Sequence, residues 1–318
     1  MSSHRYGFLW KDGIKKFKRA TARYGLWASA WLLDRLPYGA VRFLAKALVA
    51  VGFRFIIKQR RIARESLSIA FAGEKSSQET DRIVRRCFGN FGRGMIEMLY
   101  FMSHPQLTDQ KVFFEGRNHL DRALARGRGV IAVTAHFGNF PLMMLYCARQ
   151  GYKTNAIIRP ARDPRLEQYL FRRRCECGVK TIYAIPRREC VADSLKALAG
   201  NEILFIPLDQ NFGSDGGVFV DFFGQKAATA TGPVVFARRS QAVILLMFII
   251  RQEDDTHKIV VEPPVELQER EDEKEAAAVN IARITKLIEQ YIRRYPHEWG
   301  WMHRRWKSRP SETVISVQ

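Results

Sequence analysis

The residues best suited to chemistry sit where apolar runs end. The stretch Val133-Thr-Ala-His136-Phe-Gly138-Asn139-Phe140 carries an apolar run into a Gly-Asn turn. Imidazole titrates near neutrality, so His136 can take a proton from an attacking hydroxyl. Gly138 allows close approach of a substrate to the backbone. A helix starting after Asn139 offers N–H groups to a developing oxyanion. A second apolar run, Glu202 to Leu208, ends in Asp209-Gln210-Asn211. A carboxylate there can orient and charge-stabilise His136, as the acid of a triad does. The plainer reading is a structural histidine and a turn-forming aspartate. A third stretch, Val220-Asp-Phe222-Phe223-Gly224 with Thr229, Thr231, Gly232 and Pro233 behind it, suits an acyl groove or ordinary core. A fourth interleaves Trp299, Trp301 and Trp306 with His303, Arg304, Arg305 and Lys307. That pattern fits a packed, lipid-facing or phosphate-facing edge.

These groups need elements to hold them. Gly129–Thr134 is short, apolar and rich in β-branched residues, the pattern of a buried strand. Thr154–Arg159, Thr181–Ile185, Glu202–Leu208, Val243–Ile250 and Lys258–Val261 read likewise as strands. Helices are expected over 58–104, with a cap near Ser76 and Glu79, and from Asn118 or a nearby polar residue to Gly127. Others are expected over 141–150, 165–177, 190–199, 232–239 and 272–294. Strands alternating with helices predict an α/β domain with a mostly parallel sheet. In such a sheet, ligands bind at the carboxyl ends of strands, where His136 and Asp209 fall.

The chain has 318 residues and a net charge of +20, enough length for one large domain or two small ones. A chain this basic meets nucleic acid, an acidic protein or an anionic membrane. The excess is uneven. Residues 1–64 hold 15 Lys/Arg and only Asp12 and Asp34, a net +13, while 159–190 and 291–310 each carry +5. The basic head is also greasy, with Trp27, Trp31, Phe43, Phe53 and Phe55 among its residues. No run of about 20 apolar residues exists there to span a bilayer, and a secretory signal fits poorly. The pattern is that of amphipathic helix lying in a membrane interface, or of core helices with a solvated basic face. No nucleic-acid motif is present, so nucleic acid is the weakest partner. The five cysteines, Cys87, Cys147, Cys175, Cys177 and Cys190, lack metal-ligand spacing. Reduced thiols, no metal and no cofactor are expected. The tail 311–318 is expected to be loose.

Taken in order, these pieces resemble the late acyltransferases of lipid A biosynthesis, the lauroyl/myristoyl type within the lysophospholipid-acyltransferase-like superfamily. The matching elements are Gly116-Arg-Asn-His-Leu120, Gly127-Arg-Gly129, His136-Phe-Gly-Asn139, Arg159, Asp209-Gln210, Phe222-Phe-Gly224 with Thr229 and Gly232, and Trp301 to Lys307. The resemblance implies a glycerolipid-acyltransferase-like sheet over 65–310, preceded by an amphipathic docking region over 1–64. It implies transfer of an acyl chain from acyl carrier protein or CoA to a lipid hydroxyl. The setting would be the cytoplasmic face of a bacterial inner membrane, with the chain docked peripherally or monotopically. His136 would be the general base, acting without an acyl-enzyme. Arg159 would hold an acceptor phosphate or the oxyanion, and Trp301 to Lys307 would close one side of the site.

One position departs. The family pattern is His-x4-Asp/Glu, and here Pro141 stands where the carboxylate belongs. Asp209 supplies the carboxylate, or His136 works unaided and more slowly, or the chain has become a lipid-binding or scaffold protein without catalysis. The first is favoured, because Asp209 ends a strand where such a partner would sit.

Overall fold

The computed structural model describes residues 20–310 except 22, 26 and 214–216, so the tail 311–318 and the first 19 residues of the head lie outside the described residues. In chain order the helical residues 20–21, 23–25 and 27–33 (α1) lead into α2 (Tyr38–Phe55), α3 (Ile57–Phe71) and α4 (Ser77–Ser103). A 3-10 turn (Pro105–Leu107) and α5 (Thr108–Lys111) precede β1 (Val112–Glu115) and α6 (Arg117–Leu124). Then come β2 (Val130–Thr134), α7 (Phe140–Arg149), β3 (Thr154–Ile158), α8 (Pro164–Glu176), β4 (Val179–Tyr183), α9 (Arg187–Ala199) and β5 (Ile203–Pro207). The hairpin β6 (Gly217–Phe222) and β7 (Gln225–Ala230) is followed by α10 (Gly232–Ser240), β8 (Val243–Arg251), β9 (His257–Val261) and α11 (Glu273–Arg294). A 3-10 turn, Pro296–Glu298, opens the C-terminal segment.

The α/β architecture is the one the alternation predicts. Seven strands form one sheet in the order β1-β9-β8-β2-β5-β3-β4. All neighbours are parallel except β8 and β9. The central strands are apolar on both faces because helices cover both sides: Val130 to Val133 and Ile203 to Phe205 are fully buried. The long helix α4 starts where the sequence places a cap. Ser76 Oγ accepts from Glu79 N at 3.2 Å, and Glu79 Oε2 accepts from Ser76 N at 2.8 Å. The helix α3 runs unbroken across residues 64 and 65, where the sequence reading divides head from body.

The helix expected to open at Asn118 or a nearby polar residue starts at Arg117, after Gly116 in the left-handed region at φ 78°, with no side-chain cap. Two differences from the sequence reading have local causes. The strand expected at 181–185 begins at Val179 and ends at Tyr183, paired along β3. The strands β1, β6 and β7 were not expected. The last two form a separate antiparallel pair closed by Phe223 and Gly224, whose φ values of 55° and 71° are those of a two-residue hairpin turn.

Candidate active site

Register brings the two carrier residues together. β2 and β5 are neighbours and parallel, with Thr134 opposite Pro207. Each strand overruns by two residues, held by a bond from Leu208 N to Thr134 O at 2.9 Å. Equal overrun on adjacent parallel strands puts His136 beside Asp209 at the carboxyl edge. Their contact is His136 Nδ1 to Asp209 Oδ1 at 2.8 Å. Gln210 Nε2 stands 3.0 Å from His136 Nε2. A side-chain amide nitrogen only donates, so Nε2 accepts, and Nδ1 carries the proton given to Asp209. The His136 side chain is 26% exposed, whereas that of Asp209 is fully buried.

Asp209 is held as a charge. Burial alone would raise its pKa, but His136, with help from His303 and a hydrogen bond from Trp299, holds it well below the carboxylate range. The Trp299 Nε1 donor lies 2.7 Å from Asp209 Oδ2. For His136, burial pushes the pKa down, but the charge and hydrogen bond of Asp209 outweigh it and the net shift is upward. His303 lies beside the pair, its ring centroid 6.0 Å from that of His136 and its Nε2 3.8 Å from Asp209 Oδ2. Burial lowers its pKa, and His136 and Arg305 add to that against the opposing pull of Asp209.

Several expected substrate residues are occupied by the fold instead. Gly138 has φ +56°, and a Cβ there would lie 2.0 Å from the carbonyl oxygen of Ile249. Its N–H is taken by Glu298 O at 2.7 Å. Its lack of a side chain therefore serves packing against β8, not approach of a substrate. Asn139 is buried, and its Nδ2 donates to Gly94 O at 3.3 Å, tying the site to α4. Arg305 is fully buried, donating to Ala228 O at 2.6 Å, Gln210 O at 3.2 Å and Thr229 Oγ1 at 2.5 Å. Its guanidinium is spent on pinning the segment after β5 to β7 rather than on a ligand. Burial lowers its pKa to about 10. Phe222 and Phe223 are buried in a cluster with Trp299, Trp301 and Trp306, the Phe222 and Trp299 rings meeting edge to face with centroids 5.6 Å apart. They back the site as core and do not wall an open groove. Gly224 serves the hairpin turn, and Gly232 opens α10, where a Cβ would meet only Phe236 at an ordinary 3.6 Å. The three tryptophans are buried too, not lipid-facing. Arg304 is exposed, and Arg159 is exposed just beyond the end of β3, separated from β2 by β5. Pro141 lies in the first turn of α7, where a missing N–H costs nothing.

Trp299 is the residue that sequence reasoning undervalued. Its backbone bridges to Phe137 next to the histidine, and its indole reaches Asp209. Gly300 N also donates to His136 O at 3.0 Å. The run of tryptophans was visible, but nothing local says that it crosses beneath a strand end over 160 positions earlier. Among the described residues, no group of three or more His, Cys, Asp or Glu stands ready to hold a metal ion. The geometry is that of a charge-backed, partly exposed imidazole with an accepting nitrogen, able to deprotonate a hydroxyl.

A family model described as bacterial lipid A biosynthesis acyltransferase matches residues 13–308. The lipid A biosynthesis palmitoleoyltransferase of Escherichia coli K12 is 29% identical over 286 residues, covering 88% of this chain and 89% of that protein. The lipid A biosynthesis lauroyltransferase of the same organism is 29% identical over 287 residues, with the same coverage of 88% and 89%. A lipid A biosynthesis acyltransferase of Haemophilus influenzae Rd is 25% identical over 290 residues, covering 89% of each chain. Among solved structures, the 1-acyl-sn-glycerophosphate acyltransferase PlsC of Thermotoga maritima aligns with TM-score 0.35 and 14% identity, over 84% of this chain and 99% of that one.

Proposed function

The chain belongs to the bacterial lipid A biosynthesis acyltransferase family, and on that premise we propose that His136 and Asp209 perform its acyl transfer as a catalytic dyad. The chain is an acyltransferase. The acceptor is a hydroxyl of a lipid A precursor, and the donor is the thioester of acyl carrier protein or CoA. The acceptor hydroxyl takes the place of Gln210 at His136 Nε2. That nitrogen removes the proton as the oxygen attacks the thioester carbonyl. The C–S bond then breaks, and the imidazolium returns the proton to the departing thiolate, leaving an ester and a thiol. Asp209 stabilises the imidazolium and fixes the tautomer. The carboxylate absent at Pro141 is thus replaced from the next strand. Arg159 serves an anionic group of substrate or transition state at the β3 side of the edge. The observation that carries the reading is the 2.8 Å contact between His136 Nδ1 and Asp209 Oδ1.

The N-terminal helices support docking to a bacterial inner membrane from its cytoplasmic side. Phe43, Leu48, Val51 and Phe55 form an exposed stripe on α2, with Phe43 77% and Phe55 79% exposed. Trp31 on α1 and Ile57 on α3 add to it, and Lys46, Arg54 and Lys58 flank it. No helix among the described residues is long and apolar enough to cross a membrane. An apolar stripe edged by cations suits the interface of an anionic leaflet. The test is direct: incubate the purified chain with labelled acyl carrier thioester and lipid A precursor, and follow ester formation. Wild type should transfer, and both His136→Ala and Asp209→Asn should lose transfer. Full activity in Asp209→Asn would sink the dyad.

A further inference from the structure

A second concavity opens between α2, α4 and the turn joining β8 to β9, with a volume of about 800 Å³. The cations around it fall into two sets. Arg42, Lys46, Arg93 and Arg251 surround Asp255, and Arg251 also forks onto Glu97 at 2.5 and 3.0 Å. Asp255 and Glu97 offset two of these four charges, and every one of the four has a carboxylate partner. Arg54, Arg60, Arg85 and Arg86 line the same cleft, and among the described residues none of the four has a carboxylate partner.

Three of those four are nonetheless placed by the fold. The Arg60 and Arg85 guanidiniums lie 4.4 and 5.7 Å from the ring centroid of Phe53. Arg60 Nη1 donates to Phe53 O at 3.3 Å, and its Nε is buried without a partner. Arg86 Nη2 donates to His297 Nε2 at 3.2 Å. His297 adds no charge: burial and Arg86 push its pKa down to about 4. Two further carboxylates line the cleft besides Asp255: Glu253, and Glu298, whose pKa burial raises to about 7. Positioned guanidiniums with no ion-pair partner, outnumbering the carboxylates that share the cleft, form an anion site, and their planar forks fit phosphate oxygens two at a time. The cleft is also joined to the dyad. Glu298 lines it, Glu298 O accepts from Gly138 N, and the next residue, Trp299, donates to Asp209.

The geometry points to this cleft as the seat of a phosphate ester on the acceptor's headgroup, gripping the acceptor while its hydroxyl meets His136. The assignment rests on the acyl-transfer reading above. It commits to the acceptor's phosphate rather than that of a bulk phospholipid. The test uses the full chain in detergent micelles, with acyl carrier thioester as donor. The acceptor is a lipid A precursor, intact or phosphatase-treated. Wild type should lose roughly ten- to hundredfold in kcat/KM when the phosphates are removed. Arg85→Gln with Arg86→Gln should raise KM for the intact acceptor by a similar factor, leave donor KM unchanged and abolish discrimination between the two acceptors. Lysine at both positions should restore part of it. Arg85 and Arg86 are exposed, so the melting temperature should stay put. Equal wild-type rates on both acceptors, or equal losses on both in the variant, would overturn the assignment. So would a variant defect seen only in phosphatidylglycerol vesicles and absent in micelles, because the phosphate would then belong to bulk lipid. Transfer to neither acceptor would sink the acyl-transfer reading and the assignment with it, whereas equal transfer to both would sink the cleft alone.

Discussion

The dyad and the arginine cleft share one edge of the sheet and handle charge in opposite ways. At the dyad the Asp209 carboxylate is partnered on both oxygens, by His136 on one and Trp299 on the other, and the buried Arg305 reaches three acceptors. In the cleft, Arg54, Arg85 and Arg86 are exposed and lack carboxylate partners. Matched groups hold a geometry fixed before any substrate arrives, which is what a proton transfer requires. Unmatched like charges leave binding energy to be released only when an anion enters. The contrast separates residues that set the chemical rate from residues that set affinity.

Variants can test that separation, beginning where the effect should be greatest. His136→Ala removes the proposed base and leaves the buried Asp209 carboxylate without its main partner. It should lower kcat by about 10^3 to 10^4 and also lower the melting temperature, the second effect read separately by thermal unfolding. Asp209→Asn should lower kcat by about 10^2 to 10^3. It should also move the acid limb of the kcat/KM profile to lower pH. The sign follows from Asp209 holding the His136 pKa up: without that charge the imidazole stays neutral, and able to accept a proton, further into acid. An unmoved acid limb would mean that another group sets it. Arg305→Met removes three hydrogen bonds that tie the segment after β5 to β7 and should destabilise the fold by about 3 kcal/mol, read by denaturant unfolding. A cost that small in stability but a large fall in kcat would place Arg305 on the chemical side of the contrast.

Weaker effects belong to the exposed regions. Phe43→Asp with Phe55→Asp should reduce co-sedimentation with anionic vesicles by about tenfold or more and leave micellar kcat intact. Glu298→Gln probes the seam between the two regions. Burial raises the Glu298 pKa from 4.5 to about 7, so the folded state resists its ionisation. Its contribution to stability is present below the unfolded pKa and is lost as pH rises through about 7. The stability difference between variant and wild type should therefore move in the variant's favour over that interval, measured by thermal melting against pH.

Both strand ends of the dyad were legible because β2 and β5 are unbroken apolar runs that stop at polar turns. Their pairing was a sound guess only, since adjacency of strands is a property of the whole sheet. The hairpin escaped because Ala227, Ala228 and Ala230 carry no β-branched signal, and Phe222-Phe223 reads as core. The strand β1 escaped because four residues earn their identity from β9, which lies over 140 positions later. Gly138, Asn139 and Arg305 are types that bind ligands elsewhere, and here their partners are backbone groups of distant segments. The arginine cleft was illegible for the same cause: Arg54, Arg60 and Arg85 meet only once α2, α3 and α4 have packed around Phe53.

The order in which the chain leaves the ribosome gives Trp299 a further meaning. The sheet has its last strand once Val261 has emerged, and both members of the dyad precede that point. The second hydrogen bond to Asp209 comes from a residue made 90 positions after it. A nascent chain can therefore complete its sheet while the imidazole and carboxylate still lack the segment that fixes them. The proposed dyad therefore becomes whole only once Trp299 has been made, well after the last strand of the sheet.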